Sequence, residues 1–458
     1  DKNYELTTEI TLGKGNTGGL LLFYDEKAYA GVASDGKTFT IYRNGEKTET
    51  MPSDYHKHFH LRLLNRANRV ILSASKDGKS WEELATDIDV SGLHHNNYGG
   101  FYALRPALLS AGKGRTTFRN FTYRDVTPQE KDMAAYLMVF HQDEDHCLHA
   151  AISRDGYTFT ALNDGKPIIA GDTIADQKGI RDPHIYRGPD GGFYLAMTDL
   201  HIYAQRDGYR DTEWERDGKT YGWGNNRGLV LMKSFDLIHW TRTNIRFDQM
   251  SKEFAQIGCA WAPETVYDPV TGRMMIYFTM RFGTEQNRLY YVYVNQDFNR
   301  IESIPQILFE YPSGASAIDG DITPIWNEER QKMEYHLFYV AHESGSGIKQ
   351  AVSDRIDGGY RFDPRWIDFE PVACEAPNVW KRIGEDKWVL MYDIFGINPH
   401  NFGFVETSDF VHFKNLGRFN EGVMKTTNFR SPKHGAVIHL TQEEADRLEN
   451  YWNGKKQK

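Results

Sequence analysis

The stretch Ser153-Arg154-Asp155-Gly156-Tyr157-Thr158-Phe159 decides the fold, because it returns four times. It recurs as Ser234-Phe235-Asp236-Leu237-Ile238-His239-Trp240 and, more loosely, as Asn295-Gln296-Asp297-Phe298. Ser353-Asp354, followed by Tyr360 and Phe362, and Ser408-Asp409-Phe410-Val411-His412-Phe413 complete the series. Each copy ends a strand in Ser or Asn, continues to an Asp and reaches an aromatic a few residues on. Successive Asp residues lie 81, 61, 57 and 55 positions apart. That is about the length of a four-stranded propeller blade. Five copies predict an all-β fold with a five-bladed β-propeller over residues 135–458. The long first spacing predicts an insertion at 201–226, where Trp214, Tyr221 and Trp223 lie. Thr441 begins a predicted terminal helix, with Glu444 completing a capping box.

Upstream, residues 1–125 alternate polar and apolar in short runs. Examples are Tyr4–Leu12, Gly19–Tyr24, Phe39–Arg43 and Phe59–Leu63, with Phe118–Arg124 as the closing strand. Asp35-Gly36 and Asp77-Gly78 suit the tight turns between them. This predicts a β-sandwich of the concanavalin (jelly-roll) kind, joined by a polar linker at 126–134.

The composition fits a folded chain: 458 residues, 40% hydrophobic and 26% charged. No apolar run approaches the roughly 20 residues of a membrane span. The 54 basic and 63 acidic residues give a net charge of −9, which argues against a nucleic-acid partner. Cys147, Cys259 and Cys374 are distant and odd in number, so they read as free, buried thiols. The chain begins at Asp1 without a signal peptide, which reads as a mature form or an excised fragment.

A propeller gathers its inner strands around one axis. Acids at the start of different inner strands then meet in one pocket. Four segments carry such acids in phase with the repeat: Arg181-Asp182-Pro183-His184, Trp261-Ala262-Pro263-Glu264, Ile318-Asp319-Gly320-Asp321 and Glu375-Ala376-Pro377-Asn378. Each precedes a Tyr/Phe-rich strand. Pro183 is expected to hold Asp182 extended. In an extended strand Arg181 and Asp182 face opposite ways, whereas Asp319 and Asp321 share a face.

These four segments, in this order and spacing, resemble glycoside hydrolase family 43 over residues 135–440. The resemblance implies a five-bladed propeller that hydrolyses arabinosides or xylosides with inversion. It implies Asp182 as general base, Asp319 as the acid that tunes pKa and orients the donor, and Glu375 as general acid. Asp321 stands as the alternative to Asp319. Trp261, Glu264 and Arg281 are the candidate substrate contacts. Trp261 either stacks on a sugar, with Phe282, or packs in the core; Glu264 hydrogen-bonds or supports the structure. Lys433-His434-Gly435 is similar to the late His-Gly motif, whose histidine lies near a channel calcium in many members. His434 is thus either a calcium neighbour through waters or a core histidine. The N-terminal segment resembles the accessory module of this family, through His94–Phe101 and Leu104–Leu108. That module usually follows the catalytic domain and here precedes it, which suggests a longer parent chain.

The chemistry agrees with those roles. Inversion needs an ionised carboxylate to activate water and a protonated one to serve the leaving oxygen, roughly 6.5–9.5 Å apart. The apolar neighbours of Glu375 favour a retained proton. The resulting expectation is an exo-acting α-L-arabinofuranosidase or β-xylosidase on plant-type oligo- or polysaccharides, secreted or periplasmic. It requires no cofactor, and whether the propeller channel holds a structural calcium stays open. The alternatives are a retaining fructan-type hydrolase of the related fold, which lacks its Asn-Asp-Pro motif here, and a catalytically silent carbohydrate-binding propeller. A Ser-His-Asp hydrolase has no Gly-x-Ser-x-Gly elbow to support it.

Overall fold

The computed structural model describes residues 3–66, 68–343 and 345–454. It is all-β, with two compact units, Asp1–Pro128 and Gln129–Lys458.

In the first unit, two five-stranded antiparallel sheets share one core. One sheet is ordered Thr116–Asp125, Asn3–Leu12, His58–Arg66, Arg69–Ser75, Glu82–Asp89. The other is ordered Glu46–Pro52, Thr38–Arg43, Ala28–Ser34, Thr17–Asp25, Arg105–Ala111. Alternation aims Leu6, Ile10, Leu61 and Leu63 of one sheet at Leu20, Leu22, Phe39 and Ile41 of the other. Asp35 and Asp77 each accept two turn amides, from Lys37 and Thr38 and from Lys79 and Ser80. These bonds satisfy backbone donors that a tight turn leaves unpaired.

The second unit contains five sheets in succession. Their innermost strands are Lys433–Thr441, Ile180–Arg187, Ile257–Asp268, Ala317–Asn327 and Glu375–Lys381. Each touches the next, and the last touches the first. The chain's late strand Lys433–Thr441 pairs with its early strand Met133–His141, so the first sheet holds both ends of the unit. Hydrophobic clusters fill the wedge between every neighbouring pair of sheets. Burial on both faces explains runs such as Met275-Ile276-Tyr277-Phe278 without polar alternation. Each fully buried Leu, Ile or Phe contributes about 1.5–3 kcal/mol by leaving water.

The repeated Asp joins the third strand of a sheet to the fourth. Asp155, Asp236 and Asp409 each accept the amides two and three residues ahead. Asp297 and Asp354 occupy the same turn without those bonds; Asn295 accepts the turn amides in one, and Asp354 pairs with Arg330 and Lys332 in the other. The 201–226 insertion lies between Phe193–Asp199 and Gly228–Ser234, with a short helix at Gly218–Tyr221. The terminal helix Gln442–Gly454 starts at a reciprocal cap between Thr441 and Glu444. All three cysteines are free; Cys259 and Cys374 are buried and Cys147 is half-buried.

Candidate active site

Every innermost strand carries one extra residue near its start. The register slips between Arg181 and His184, Trp261 and Glu264, Ile318 and Asp321, Glu375 and Asn378, and at Lys433. The residue at each slip has a left-handed backbone: Asp182 at φ 51°, Ala262 at 46°, Asp319 at 52°, Ala376 at 55° and His434 at 37°. Pro183, Pro263, Gly320, Pro377 or Gly435 follows. A bulge leaves a ladder position without its hydrogen bond, so a proline is tolerated there. Gly320 is needed for space, since a Cβ would meet Leu289 Cδ1 at 2.9 Å.

Two expectations fail at these bulges. Pro183 does not hold Asp182 extended. Arg181 and Asp182 do not face opposite ways, because the extra residue breaks the two-residue period. Both line one cavity of 690 Å³, as do Ile318 with Asp319 and Lys433 with His434. Left-handed non-glycine residues cost about 1–3 kcal/mol each, and such strain concentrates at functional sites.

The cavity brings together Asp182, Asp319, Glu375 and His434. Asp182 Oδ2 accepts a hydrogen bond from Thr198 Oγ1 at 2.7 Å, and Oδ1 lies 3.3 Å from His434 Nδ1. The Asp182 amide donates to His141 Nδ1 at 3.1 Å. Burial opposes ionisation of Asp182. His434, then Arg181 and His141, overcome it and hold the carboxyl far below the usual range. Asp319 moves the other way, to about 7. Burial is the main cause, and the negative charges of Glu375 and Asp182 add to it against the opposing pull of His434. The Ala376 amide donates to Asp319 Oδ2 at 3.2 Å. Asp321 is turned away from the cavity. It accepts from Asn378 Nδ2, the Val379 amide and the Thr323 hydroxyl. The bulge at Asp319 thus separates two acids expected on one face.

Glu375 receives a hydrogen bond from Lys433 Nζ at 3.0 Å, and the same ammonium lies 3.3 Å from Asp393 Oδ2. Arg181 pairs with Asp143 in the same way. Sequence reasoning assigned nothing to Lys433, Asp393, Asp143 or Thr198. Lys433 precedes His434 as Arg181 precedes Asp182, and that parallel is the one signal that pointed to it. Asp143, Thr198 and Asp393 gain their roles only through strand pairing.

Trp261 lines the cavity, donates from Nε1 to the Gly224 carbonyl at 2.9 Å, and carries the Arg281 guanidinium 4.6 Å from its ring centre. Arg281 is 7% exposed and donates to the carbonyls of Tyr221, Trp223 and Gly283 and to Asn287. Arg281 lines the cavity, and its donors to Tyr221 and Trp223 hold the insertion there. Glu264 is 3% exposed, accepts from the Tyr277 hydroxyl at 2.7 Å and does not line the cavity. The structure therefore does not bring Glu264 to the site. Burial first, then the charge of Asp321, holds its carboxyl well above the ordinary range. His434 gains proton affinity from Asp182 despite its burial. Among the described residues no group of three or more His, Cys, Asp or Glu is placed to hold a metal ion.

A carboxylate kept ionised, a second with its proton affinity pushed up to about 7 and a third on a lysine, converging from three strands, is an arrangement for acid–base chemistry. A family model described as a probable glycosyl hydrolase domain, related to family 43, matches residues 131–446. The chain belongs to this family. The chain is similar to an α-L-arabinofuranosidase of Bifidobacterium longum subsp. longum, at 25% identity over 193 residues. That match covers 40% of this chain and 16% of the relative. Among solved structures, a xylan β-1,4-xylosidase of Bacillus halodurans aligns at 12% identity and TM-score 0.43, covering 64% of this chain and 54% of that one. An exo-1,5-α-L-arabinanase from a bovine ruminal metagenomic library aligns at 14% and 0.41, covering 62% and 93%.

Proposed function

We infer that the chain is an inverting exo-glycoside hydrolase of α-L-arabinofuranosides or β-xylosides, acting on plant-type oligo- or polysaccharides outside the cytoplasm. In this reading the five sheets are the blades of a β-propeller and the first unit is a β-sandwich accessory domain. One observation carries the assignment: Asp182 and Asp319 line the same cavity and their proton affinities are driven in opposite directions.

Asp182 is the general base. Thr198 and His434 orient it, and its remaining lone pairs accept a water. As that water attacks the anomeric carbon, its proton passes to Asp182. The bond from that carbon to the leaving oxygen breaks, and Glu375 delivers a proton to that oxygen. Lys433 holds Oε1 of Glu375, which leaves Oε2 for the leaving oxygen. Asp319, whose carboxyl is pushed up to about 7, donates to a sugar hydroxyl in its protonated form.

The test is hydrolysis of 4-nitrophenyl α-L-arabinofuranoside and β-D-xyloside, with NMR of the first anomer released. The expected product is inverted. A retained anomer transfers the assignment to a double displacement, and no release from either glycoside removes these sugars from the reading.

A further inference from the structure

The insertion at 201–226 places Trp223 on the cavity wall with 59% of its surface exposed. An exposed indole ordinarily swings freely, yet this one is held. Its ring meets buried Trp214 at 5.3 Å and Trp261 at 5.8 Å, both edge to face. Its carbonyl accepts from Arg281 Nη2 at 2.8 Å. Gly222 at φ 82° and Gly224 at φ 61° bracket it. A Cβ on Gly222 would stand 2.7 Å from Arg281 Nη2, and one on Gly224 would stand 3.1 Å from Trp261. The loop is therefore built to bring this backbone against Arg281 and Trp261.

An indole fixed in place on the wall of a cavity that also carries charged and polar side chains is suited to binding a ligand there. Trp223 is more exposed than the carboxylates, whose side chains are 13% exposed at Asp182 and 21% at Glu375. It therefore meets a ligand outside the reacting position. The same cavity is lined by Gln286, Asn287 and Ser316, which can bond hydroxyls. Sugar rings present a C–H face and a hydroxyl rim, which match an indole face combined with such side chains.

We propose that Trp223 is a stacking platform for a second sugar unit beyond the one at the carboxylates, so that the site takes an oligosaccharide chain rather than a lone glycoside. Arg281 is the positioning residue beneath it. This proposal rests on the glycosidase reading.

The experiment compares the full chain with Trp223→Ala and Trp223→Phe on α-1,5-arabinotriose and xylotriose and on the matching methyl glycosides, whose aglycone cannot stack. Trp223→Ala should lose about tenfold in kcat/KM on the trisaccharide, mostly through KM, and stay within about twofold on the methyl glycoside. Trp223→Phe should recover most of the loss. Equal losses on both substrates, or none on the trisaccharide, overturn the platform while leaving the glycosidase reading intact. If the parent protein hydrolyses neither class, that reading falls. Tryptophan fluorescence then decides: Asp182→Asn should show saturable quenching by a trisaccharide that Trp223→Ala abolishes, and no quenching in Asp182→Asn overturns the platform.

Discussion

The bulges divide the five innermost strands into two tiers. At the bulge, Asp182, Asp319, Glu375, Lys433 and His434 face the cavity. Just past it, His184, Glu264, Asp321 and Asn378 are buried and bonded to protein. Asp319 and Asp321 stand two residues apart, are both buried, and both have a carboxyl pushed up to about 7. Only Asp319 lines the cavity. Perturbed proton affinity therefore does not separate a working acid from a structural one. Access to the cavity does, and one bulge decides access.

The largest expected effect sharpens that contrast in the cavity tier. Asp182→Asn and Glu375→Gln should each lower kcat by about 10³-fold on an aryl glycoside, with folding unchanged by circular dichroism. Rates near the parent's in either variant would remove the contrast. Asp319→Asn comes next, with a loss of about 10²-fold. The amide keeps a donor for a hydroxyl but presents it differently to the Ala376 amide, which now donates to Asp319 Oδ2.

The smallest effect belongs to the buried tier. Glu264→Gln keeps an acceptor for the Tyr277 hydroxyl, so activity should stay within about threefold. Its stability should differ with pH. The unfolded acid ionises near 4.5, while the folded one keeps its proton well above that. Stability from this group is therefore whole below the unfolded value and is lost as pH rises toward the folded one. Glutamine does not titrate. The melting temperature of Glu264→Gln should rise relative to the parent as pH climbs from about 4.5 toward the raised folded value. A constant difference across that range would show that Glu264 is not held neutral.

Much of the fold was legible. The repeated turn is a local structure, closed at Asp155, Asp236 and Asp409 by the carboxylate onto amides two and three residues ahead, so its spacing reports where the third strands end. Alternation in the first unit and the Thr441–Glu444 cap were readable for the same reason. Four acid-bearing segments could be picked out because they fall in phase with that repeat; the choice of Asp182, Asp319 and Glu375 among them came from the resemblance to glycoside hydrolase family 43. Their directions could not be read. The two-residue period predicts sides only for a regular strand, and all five innermost strands break it at the point that matters. Glu264 and Arg281 show the same limit: one is sealed beneath the cavity and the other is bound to carbonyls of the insertion.

The amino-acid sequence by itself determined the repeat, the all-β class and the set of acids, because turns, alternation and caps depend on neighbours a few residues apart. The tertiary structure alone decided which acids share a cavity, that Lys433 reaches Glu375, and that His434, Arg181 and His141 hold Asp182 ionised against its burial. Apart from Arg181 beside Asp182, those interactions join residues tens to hundreds of positions apart. Their strength depends on burial and distance, quantities that exist only once the sheets have packed.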